Sequence, residues 1–457
     1  MNAKTVAKTV AKTVAIIGAG PVGLAAAAHV LERGMSPIVL EAGPEAAHAV
    51  RQWQHVQLFS PWEYNIDQAA SRLLAPTGWN SPDPHAYPTG GELIERYLAP
   101  LATRTPLREA IRTSSRVTAI SRAGFDKAKT KGREQAPFEI RYENGKGPET
   151  LHADAVIDAS GTWFSPNPPG SNGLPGIGER ERAGRIAYGM PDVRGTERAR
   201  YAGKTVAVLG AGHSAVGTLI DLAQLASEVP GTQAMWLLRG DDPAKAFGGG
   251  RNDKLAARGA LGSAFAALVA AGKIKVETGF GVTHLSDSEG RLGVSAGSRS
   301  VVADELVVST GFRPDLSFLS ELRLRLDPAI EAPVALAPLI DPNEHSCGTV
   351  RPHGARELAH DEPGFYLAGM KSYGRAPTFL MMTGYEQVRS IAADIAGDEK
   401  AAARVELVLP ETGVCTRGGV EAADAGCCGG PAKEEPSACC AADEAAKTAG
   451  RAGCGCS

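Results

Sequence analysis

Two copies of a glycine-rich fingerprint, Gly-x-Gly-x-x-Gly/Ala, constrain the fold of this 457-residue chain more than any other feature. Each copy follows a short apolar run that is typical of a buried strand and precedes a run that is typical of a helix. In this strand–turn–helix context the pattern predicts a dinucleotide-binding unit. The pattern positions are Gly18, Gly20 and Gly23 in the first copy and Gly210, Gly212 and Ala215 in the second.

Each position of the fingerprint has a physical role. The first glycine forms a tight turn, the second lets backbone N–H groups approach a pyrophosphate, and the third position lets the helix pack on the strand. The helix N-terminus then offers partial positive charge to the phosphates. Ser214 in the second fingerprint and Gly369 in the segment FYLAG are further predicted cofactor-binding positions. Two such sites in one chain predict electron transfer between two dinucleotides.

The residue at the end of the second strand of each unit indicates which dinucleotide binds there. Glu41 ends the segment IVLE, where a carboxylate can accept hydrogen bonds from a ribose with free hydroxyl groups, and this favours FAD. Arg239 ends WLLR, and its guanidinium suits a 2′-phosphate through bidentate charge-assisted bonds, which favours NADPH. The alternative for Arg239 is a solvated charge at a strand end.

The composition is that of a globular α/β protein. Hydrophobic residues make up 43% of the chain and 54 residues are glycine. The net charge of −3 provides no basic surface for nucleic acid or for an acidic membrane. No apolar segment resembles a secretory signal or a membrane span. We therefore expect a cytosolic protein that acts on a small molecule, and a homo-oligomer is left open.

The order of the patterns predicts an α/β fold with two Rossmann-like dinucleotide-binding domains, the NADPH domain being inserted into the FAD domain. The FAD domain would comprise residues 1–199 and 305–410, and the NADPH domain residues 200–304. A disordered Cys-rich tail would comprise residues 411–457. The insertion is inferred because the segment from residue 364 onward reads as a strand, a glycine loop and a helix that return the chain to its first domain.

Several local predictions can be compared with the structure. Residues 24–33, 92–101 and 260–271 are predicted to be helical. Residues 51–91, which are rich in Trp, Pro, Asn and Tyr, are predicted to form a long ordered loop without regular elements. Residues 301–308 are predicted to form one strand.

The order of these motifs resembles that of the two-dinucleotide flavoproteins. The segments DASGTWFSP (158–166) and VVSTGFRPD (307–315) are similar to each other, and FSPWEYNIDQ with HAYPTGGELIERYL is similar to flavin-containing monooxygenases. The resemblance covers roughly residues 13–400. It implies FAD, NADPH and reaction of the reduced flavin with molecular oxygen, and it implies that Asn65 is the catalytic Asn of that family. A turn residue is the alternative for Asn65.

Two features separate this chain from relatives of the same architecture. The monooxygenase linker motif Phe-x-Gly-x-x-x-His has its nearest match at Arg182, Gly184 and Tyr188, so only the glycine is retained. Flavoprotein disulfide reductases need a redox-active Cys pair beside the flavin, and residues 1–346 contain no cysteine, which excludes a dithiol relay through the core. Cys347 is predicted to be a catalytic thiol near the flavin or a substrate ligand, and an ordinary buried or loop thiol is the alternative.

Seven of the eight cysteines lie in the C-terminal tail, among Gly, Ala, Pro, Glu and Lys residues that cannot form a core. Vicinal and Cys-x-Cys thiolates suit soft ions such as trivalent arsenic or antimony, copper(I) or mercury. One alternative is a mobile redox tail, because GCCG resembles the dithiols of large thioredoxin reductases and mercuric reductases; another is an inert extension. The predicted metal ligands are Cys415, Cys427, Cys428, Cys439, Cys440, Cys454 and Cys456.

The segments GAGHSA and HSCGTVRPHG and the ETGVC and CCGG motifs of the tail are together similar to flavin monooxygenase-like proteins associated with arsenic resistance. This resemblance implies NADPH-dependent oxidation of trivalent arsenicals or antimonite, with molecular oxygen as the second substrate. Two other functions stay open: a flavin reductase that passes electrons to thiols or to a metal ion, and a metal-sequestering protein.

Overall fold

The structure is a computed structural model that describes residues 11–247, 256–343, 350–377 and 379–407, all within the compact unit Met1–Cys415. Among these residues the strands are β1 (Thr13–Ile17), β2 (Ser36–Leu40), β3 (Ile111–Arg112), β4 (Arg116–Arg122), β5 (Phe138–Asn144), β6 (Gly147–Ala153), β7 (Ala155–Asp158), β8 (Ile186–Tyr188), β9 (Thr205–Leu209), β10 (Gln233–Leu237), β11 (Ile274–Glu277), β12 (His284–Ser288), β13 (Arg291–Ala296), β14 (Arg299–Ala303), β15 (Glu305–Val308) and β16 (Phe365–Leu367). The α-helices are α1 (Pro21–Glu32), α2 (His48–Arg51), α3 (Gln68–Leu74), α4 (Gly90–Leu93), α5 (Ala99–Arg104), α6 (Arg198–Tyr201), α7 (His213–Glu228), α8 (Ala256–Ala270), α9 (Ala337–Ile340), α10 (Ala355–Leu358), α11 (Met381–Ala396) and α12 (Glu399–Ala403).

A five-stranded parallel sheet carries the first fingerprint, with the strand order β16-β7-β1-β2-β3. Successive residues of its central strand point to opposite faces. Val14 and Ile16 lie in a core with α1 and α11, whereas Ala15 and Ile17 lie in a core with β4 and β5. The chain returns to this sheet at β16, which pairs with β7.

A second five-stranded parallel sheet carries the second fingerprint, with the strand order β11-β10-β9-β15-β8. Val206 and Val208 of β9 pack against α7, whereas Ala207 and Leu209 lie in a core with β12, β13 and β14. Both sheets are covered on each face, which explains why their central strands are continuous apolar runs.

A three-stranded antiparallel sheet covers one face of each parallel sheet. Its strand order is β4-β5-β6 in the first case and β12-β13-β14 in the second. On β5 the buried residues Phe138, Ile140 and Tyr142 alternate with more exposed ones, as expected for a half-covered strand. The sequence analysis did not identify either sheet. The repeated order of helices, parallel sheet and antiparallel sheet confirms the mixed α/β class.

The helix after the first fingerprint begins earlier than predicted. It starts at Pro21, where a residue without an N–H group disrupts no helical hydrogen bond. Its run of small side chains, Ala25–Ala28, is buried. Residues 90–104 are helical throughout, with a π-helical turn at Ile94–Leu98 between α4 and α5. Within the described residues, no helix is both long and apolar enough to cross a membrane.

Two local predictions differ from the structure. The loop predicted over residues 51–91 contains a regular helix, α3, whose first turn is capped by the Asp67 carboxylate. The single strand predicted over residues 301–308 is two strands, because Asp304 bonds to Thr205 through both its N–H group and its carboxylate, at the point where the chain enters the parallel sheet. The second parallel sheet also includes β8 and β15, which lie outside residues 200–304; the domain bounds stay a prediction.

Candidate functional site

The first glycine turn leaves open space where a pyrophosphate would lie. Gly18 has a φ of +95°, and a Cβ there would lie 2.9 Å from the carbonyl oxygen of Ala159. At Gly23 a Cβ would lie 2.0 Å from the carbonyl oxygen of Gly18. By contrast, a Cβ at Gly20 would meet no described atom within 4 Å, and Gly20 caps α1 without a side-chain hydrogen bond. The first-turn N–H groups of α1 are therefore available to an anion.

The second glycine turn repeats this geometry. Gly210 has a φ of +140°, and a Cβ there would lie 2.3 Å from the carbonyl oxygen of Ser309. A Cβ at Gly212 would meet no described atom within 4 Å, and Gly212 caps α7 without a side-chain hydrogen bond. Ala215 is buried against the turn, and Ser214 is half-buried beside it. Both turns therefore fit the pyrophosphate of a dinucleotide.

Glu41 is fixed at the end of the first fingerprint. It follows β2 directly and is buried. Its Oε2 accepts a hydrogen bond from the Ala19 N–H group at 2.7 Å, and its Oε1 accepts one from the Gly43 N–H group at 2.7 Å. Because each carboxylate oxygen has a further lone pair, the oriented carboxylate fits a ribose diol.

Arg239 lies on the surface just beyond β10. The structure describes one hydrogen bond from its guanidinium, from Nη1 to the carbonyl oxygen of Ser171 at 3.2 Å. A guanidinium has five N–H donors, so most of this group can still bind a ligand. Its exposure and position fit a 2′-phosphate.

Gly369 is held by a buried hydrogen-bond network that the sequence analysis missed. Its N–H group donates to Oε1 of Gln387 at 2.8 Å. The Gln387 amide nitrogen lies 2.9 Å from both the Ser372 hydroxyl and Nε2 of His353. Burial lowers the pKa of His353, so the neutral ring can accept this hydrogen bond. A lone Gln on an amphipathic helix gives no sequence signal for such a role.

A second missed feature is a fully buried ion pair. Nζ of Lys371 lies 2.6 Å from Oδ2 of Asp158 and 3.0 Å from the Ser160 hydroxyl. The same ammonium lies 4.3 Å from the centroid of the Phe318 ring. The pair joins the end of β7 to the segment that contains Gly369, and so helps to fix the first dinucleotide unit.

A cavity of about 770 Å³ adjoins predicted cofactor positions of both units. It is lined by Trp53 and residues 55–60, by α7 and α8, and by Met370 and Met381. Ser214 of the second fingerprint lines it, and Met370 directly follows Gly369. Its volume is in the usual range of ligand pockets. The Trp and Phe side chains of the lining are Trp53, Phe59, Trp163 and Phe379.

Of the two predicted catalytic residues, the structure describes Asn65, which is not among the lining residues of this cavity. Asn65 is buried; its Nδ2 donates to the carbonyl oxygens of Ser60 and Pro61 at 2.8 Å, and its Oδ1 accepts from the Ser60 hydroxyl at 2.9 Å. The amide therefore bonds within its own loop. Cys347 and the seven cysteines of the tail lie outside the described residues. The catalytic roles of Asn65 and Cys347 stay predictions.

A metal site is not formed by the part of the chain that the structure describes. No group of three or more His, Cys, Asp or Glu side chains there could hold a metal ion. The predicted metal ligands all belong to the tail, so they lie outside the described residues and the metal site stays a prediction.

Comparisons with known proteins give a family and a fold. A family model described as pyridine nucleotide-disulphide oxidoreductase matches residues 15–335. Flavin-containing monooxygenase 3 of Rattus norvegicus is 25% identical over 217 residues, which cover 47% of this chain and 39% of that protein. The alignment thus spans well under half of that relative's length.

Two solved structures have the same fold as this chain. A bacillithiol disulfide reductase from Bacillus cereus is 20% identical, with a TM-score of 0.62, and the match covers 84% of this chain and 99% of that chain. An FAD-bound cadaverine monooxygenase from Erwinia amylovora is 15% identical, with a TM-score of 0.59, and the match covers 90% of this chain and 100% of that chain. At these identities the likeness concerns the fold alone.

Proposed function

The chain belongs to the pyridine nucleotide-disulphide oxidoreductase family and is an FAD- and NAD(P)H-dependent flavoprotein oxidoreductase. Within that family we propose that it is an NADPH-dependent monooxygenase. Its proposed substrates are trivalent arsenicals or antimonite, and its proposed role is metalloid detoxification in the cytosol. FAD would supply the two-electron chemistry that carries reducing equivalents from NADPH to molecular oxygen.

One observation favours molecular oxygen, and not a thiol, as the electron acceptor. The cavity that adjoins the two predicted cofactor positions has a largely apolar and aromatic lining without a cysteine among its described residues, and residues 1–346 contain no cysteine. A disulfide reductase passes electrons through a dithiol, which cannot be built from this part of the chain. An apolar lining also excludes water from the reacting atoms, which suits oxygen chemistry.

The residues of this chain would hold and orient the two cofactors. The N-termini of α1 and α7 would bind the pyrophosphates at Gly20 and Gly212, where the structure leaves open space. Glu41 would accept hydrogen bonds from the FAD ribose, and Arg239 would select NADPH over NADH through its 2′-phosphate.

The metalloid substrate is supported by the tail and by the resemblance of the tail and neighbouring segments to arsenic-resistance proteins. Vicinal and Cys-x-Cys thiols bind soft trivalent metalloids, and a tethered thiol segment would raise the local concentration of its cargo. This support is independent of the cavity.

Oxygen consumption by purified FAD-loaded protein, followed together with NADPH oxidation and arsenate formation, tests the proposal. A monooxygenase consumes arsenite, oxygen and NADPH in equimolar amounts and forms arsenate, water and NADP⁺. Omitting arsenite or NADPH should stop oxygen consumption. NADPH oxidation that proceeds without oxygen and reduces an added disulfide would instead establish the reductase, and arsenite binding without any turnover would establish sequestration.

A further inference from the structure

The Asp221 carboxylate lines the cavity, and no group that the structure describes bonds to it. Asp221 belongs to α7, is half-buried and lines the cavity. Among the residues that the structure describes, none donates a hydrogen bond to this carboxylate or forms an ion pair with it. A partly desolvated carboxylate without a partner is costly to a fold, so a ligand that supplies a donor would gain from it.

The surroundings of Asp221 are those of a ligand site. Trp53 and Trp163 line the same cavity from other elements, as does His55. Burial raises the pKa of the Asp221 carboxyl, while the charges of Arg194 and His55 oppose the increase. His213 and Arg258 also line the cavity, and Asp221 is the one acidic residue among the described lining residues. Aromatic walls with a few polar groups are typical of small-molecule pockets, where the polar groups provide specificity.

Asp221 is separated from the predicted phosphate position. It follows Gly212 by nine residues on one helix, which corresponds to about 13 Å along the helix axis. Its negative charge would repel a phosphate, whereas the helix N-terminus attracts one. The N-terminus and the middle of this helix therefore suit different ligand groups: the dinucleotide phosphates at Gly212 and an uncharged or cationic group at Asp221.

We propose that Asp221 recognises the substrate, by accepting a hydrogen bond from an O–H or N–H donor of an uncharged or cationic molecule, and that it excludes anions. The inference rests on the proposed monooxygenase function and specifies its substrate class. Arsenite, which is uncharged and carries hydroxyl donors near neutral pH, belongs to this class. Its oxidised product arsenate is an anion, so the same carboxylate favours product release.

Binding can be measured without turnover, because Trp53 and Trp163 line the cavity and report on it by their fluorescence. The full chain would be titrated with arsenite, with cadaverine as a cationic probe and with arsenate as an anionic probe, in the wild type and in Asp221→Asn. Asp361→Asn, which changes an exposed carboxylate elsewhere, is the matched control. Any arsenite bound by the tail is common to all three proteins.

We expect Asp221→Asn to weaken binding of arsenite or cadaverine about tenfold, to leave arsenate binding unchanged or tighter, and to leave the KM for NADPH unchanged. Asp361→Asn should behave like the wild type. Equal binding of the probes by wild type and Asp221→Asn, absence of binding by the wild type, or a raised KM for NADPH in Asp221→Asn would each overturn the inference. If the probes bind in a manner that depends on Asp221 but oxygen is not consumed, the recognition role of Asp221 is supported and the monooxygenase function is contradicted.

Discussion

The Trp163 ring stacks on the Phe312 ring with their centroids 5.0 Å apart. These residues belong to the two similar segments that leave the two parallel sheets, and the segments also pair through a bridge between Pro166 and Phe312. Asn167 further donates its N–H group to the Gly311 carbonyl oxygen at 2.9 Å. The sequence similarity of the two segments therefore corresponds to a physical contact between them, next to the cavity that Trp163 lines.

The two open glycine positions give a test that separates ligand loss from misfolding. Gly20 and Gly212 have φ values of −75° and −83°, which valine tolerates, and a Cβ would meet no described atom within 4 Å. We expect Gly20→Val to yield folded protein without FAD, and Gly212→Val to retain FAD that NADPH no longer reduces. Absorbance of bound flavin and its bleaching by NADPH measure both effects.

The contrasting control for these variants is Gly23→Val. A Cβ there would lie 2.0 Å from the carbonyl oxygen of Gly18, so this variant should lose stability rather than ligand alone. If Gly212→Val is reduced by NADPH at the wild-type rate, the assignment of the two sites is reversed.

Arg239→Ala tests the choice of NADPH. Losing charge-assisted hydrogen bonds to the 2′-phosphate should cost about 1.5–3 kcal/mol, which raises the KM for NADPH roughly 10- to 150-fold. The KM for NADH should change little, because NADH lacks that phosphate. Steady-state kinetics with both coenzymes measure the two KM values. An equal increase in both would show that Arg239 does not bind the 2′-phosphate.

Acid destabilisation is expected from His360. Burial lowers the pKa of this ring to about 4 in the folded protein, and its Nδ1 accepts a hydrogen bond from the Arg325 N–H group at 3.2 Å. An unfolded chain has a His pKa near 6.5, so the unfolded state gains protons first as the pH falls. The contribution of His360 is complete above about pH 6.5 and is lost progressively between about pH 6.5 and pH 4, by about 3 kcal/mol in total.

Denaturant unfolding between pH 4 and pH 7 measures this loss, with His360→Asn as the comparison. Asn retains an acceptor near the position of Nδ1 but does not titrate. Its unfolding free energy should therefore depend less on pH in this range. An unchanged dependence would assign the acid sensitivity to other groups.

Truncation after Pro410 tests the role assigned to the tail. FAD content and the KM for NADPH should stay unchanged, because the described cofactor positions lie before residue 408. Capture of arsenite at low concentration should weaken, since a tethered thiol segment raises the local concentration of its cargo. Arsenite titration with thiol counting measures the effect. Identical metalloid binding and turnover in both forms would make the tail an inert extension.

The sequence by itself determined the two glycine turns, because a tight turn and a close backbone approach need glycine at fixed spacing. It also indicated the strand that follows each turn's helix, Glu41 and Arg239 at the strand ends, and the return of the chain near residue 364. These features are local, so a pattern of neighbouring residues is sufficient to encode them. The helix α3 was missed because its residues lie among Pro and Trp residues that are typical of loops.

Only the tertiary structure decided which distant residues meet. The buried pair Lys371 and Asp158 joins positions 213 residues apart, and the hydrogen bond between Gln387 and Gly369 joins a helix to a segment 18 residues earlier. No local period marks either contact. The amide of Asn65 resembles a catalytic group in its motif, yet it bonds within its own loop, because burial required partners for its donors. Asp221 is an ordinary helix residue by sequence, and only the packing of α7 against residues 53–60 places its carboxylate in a cavity.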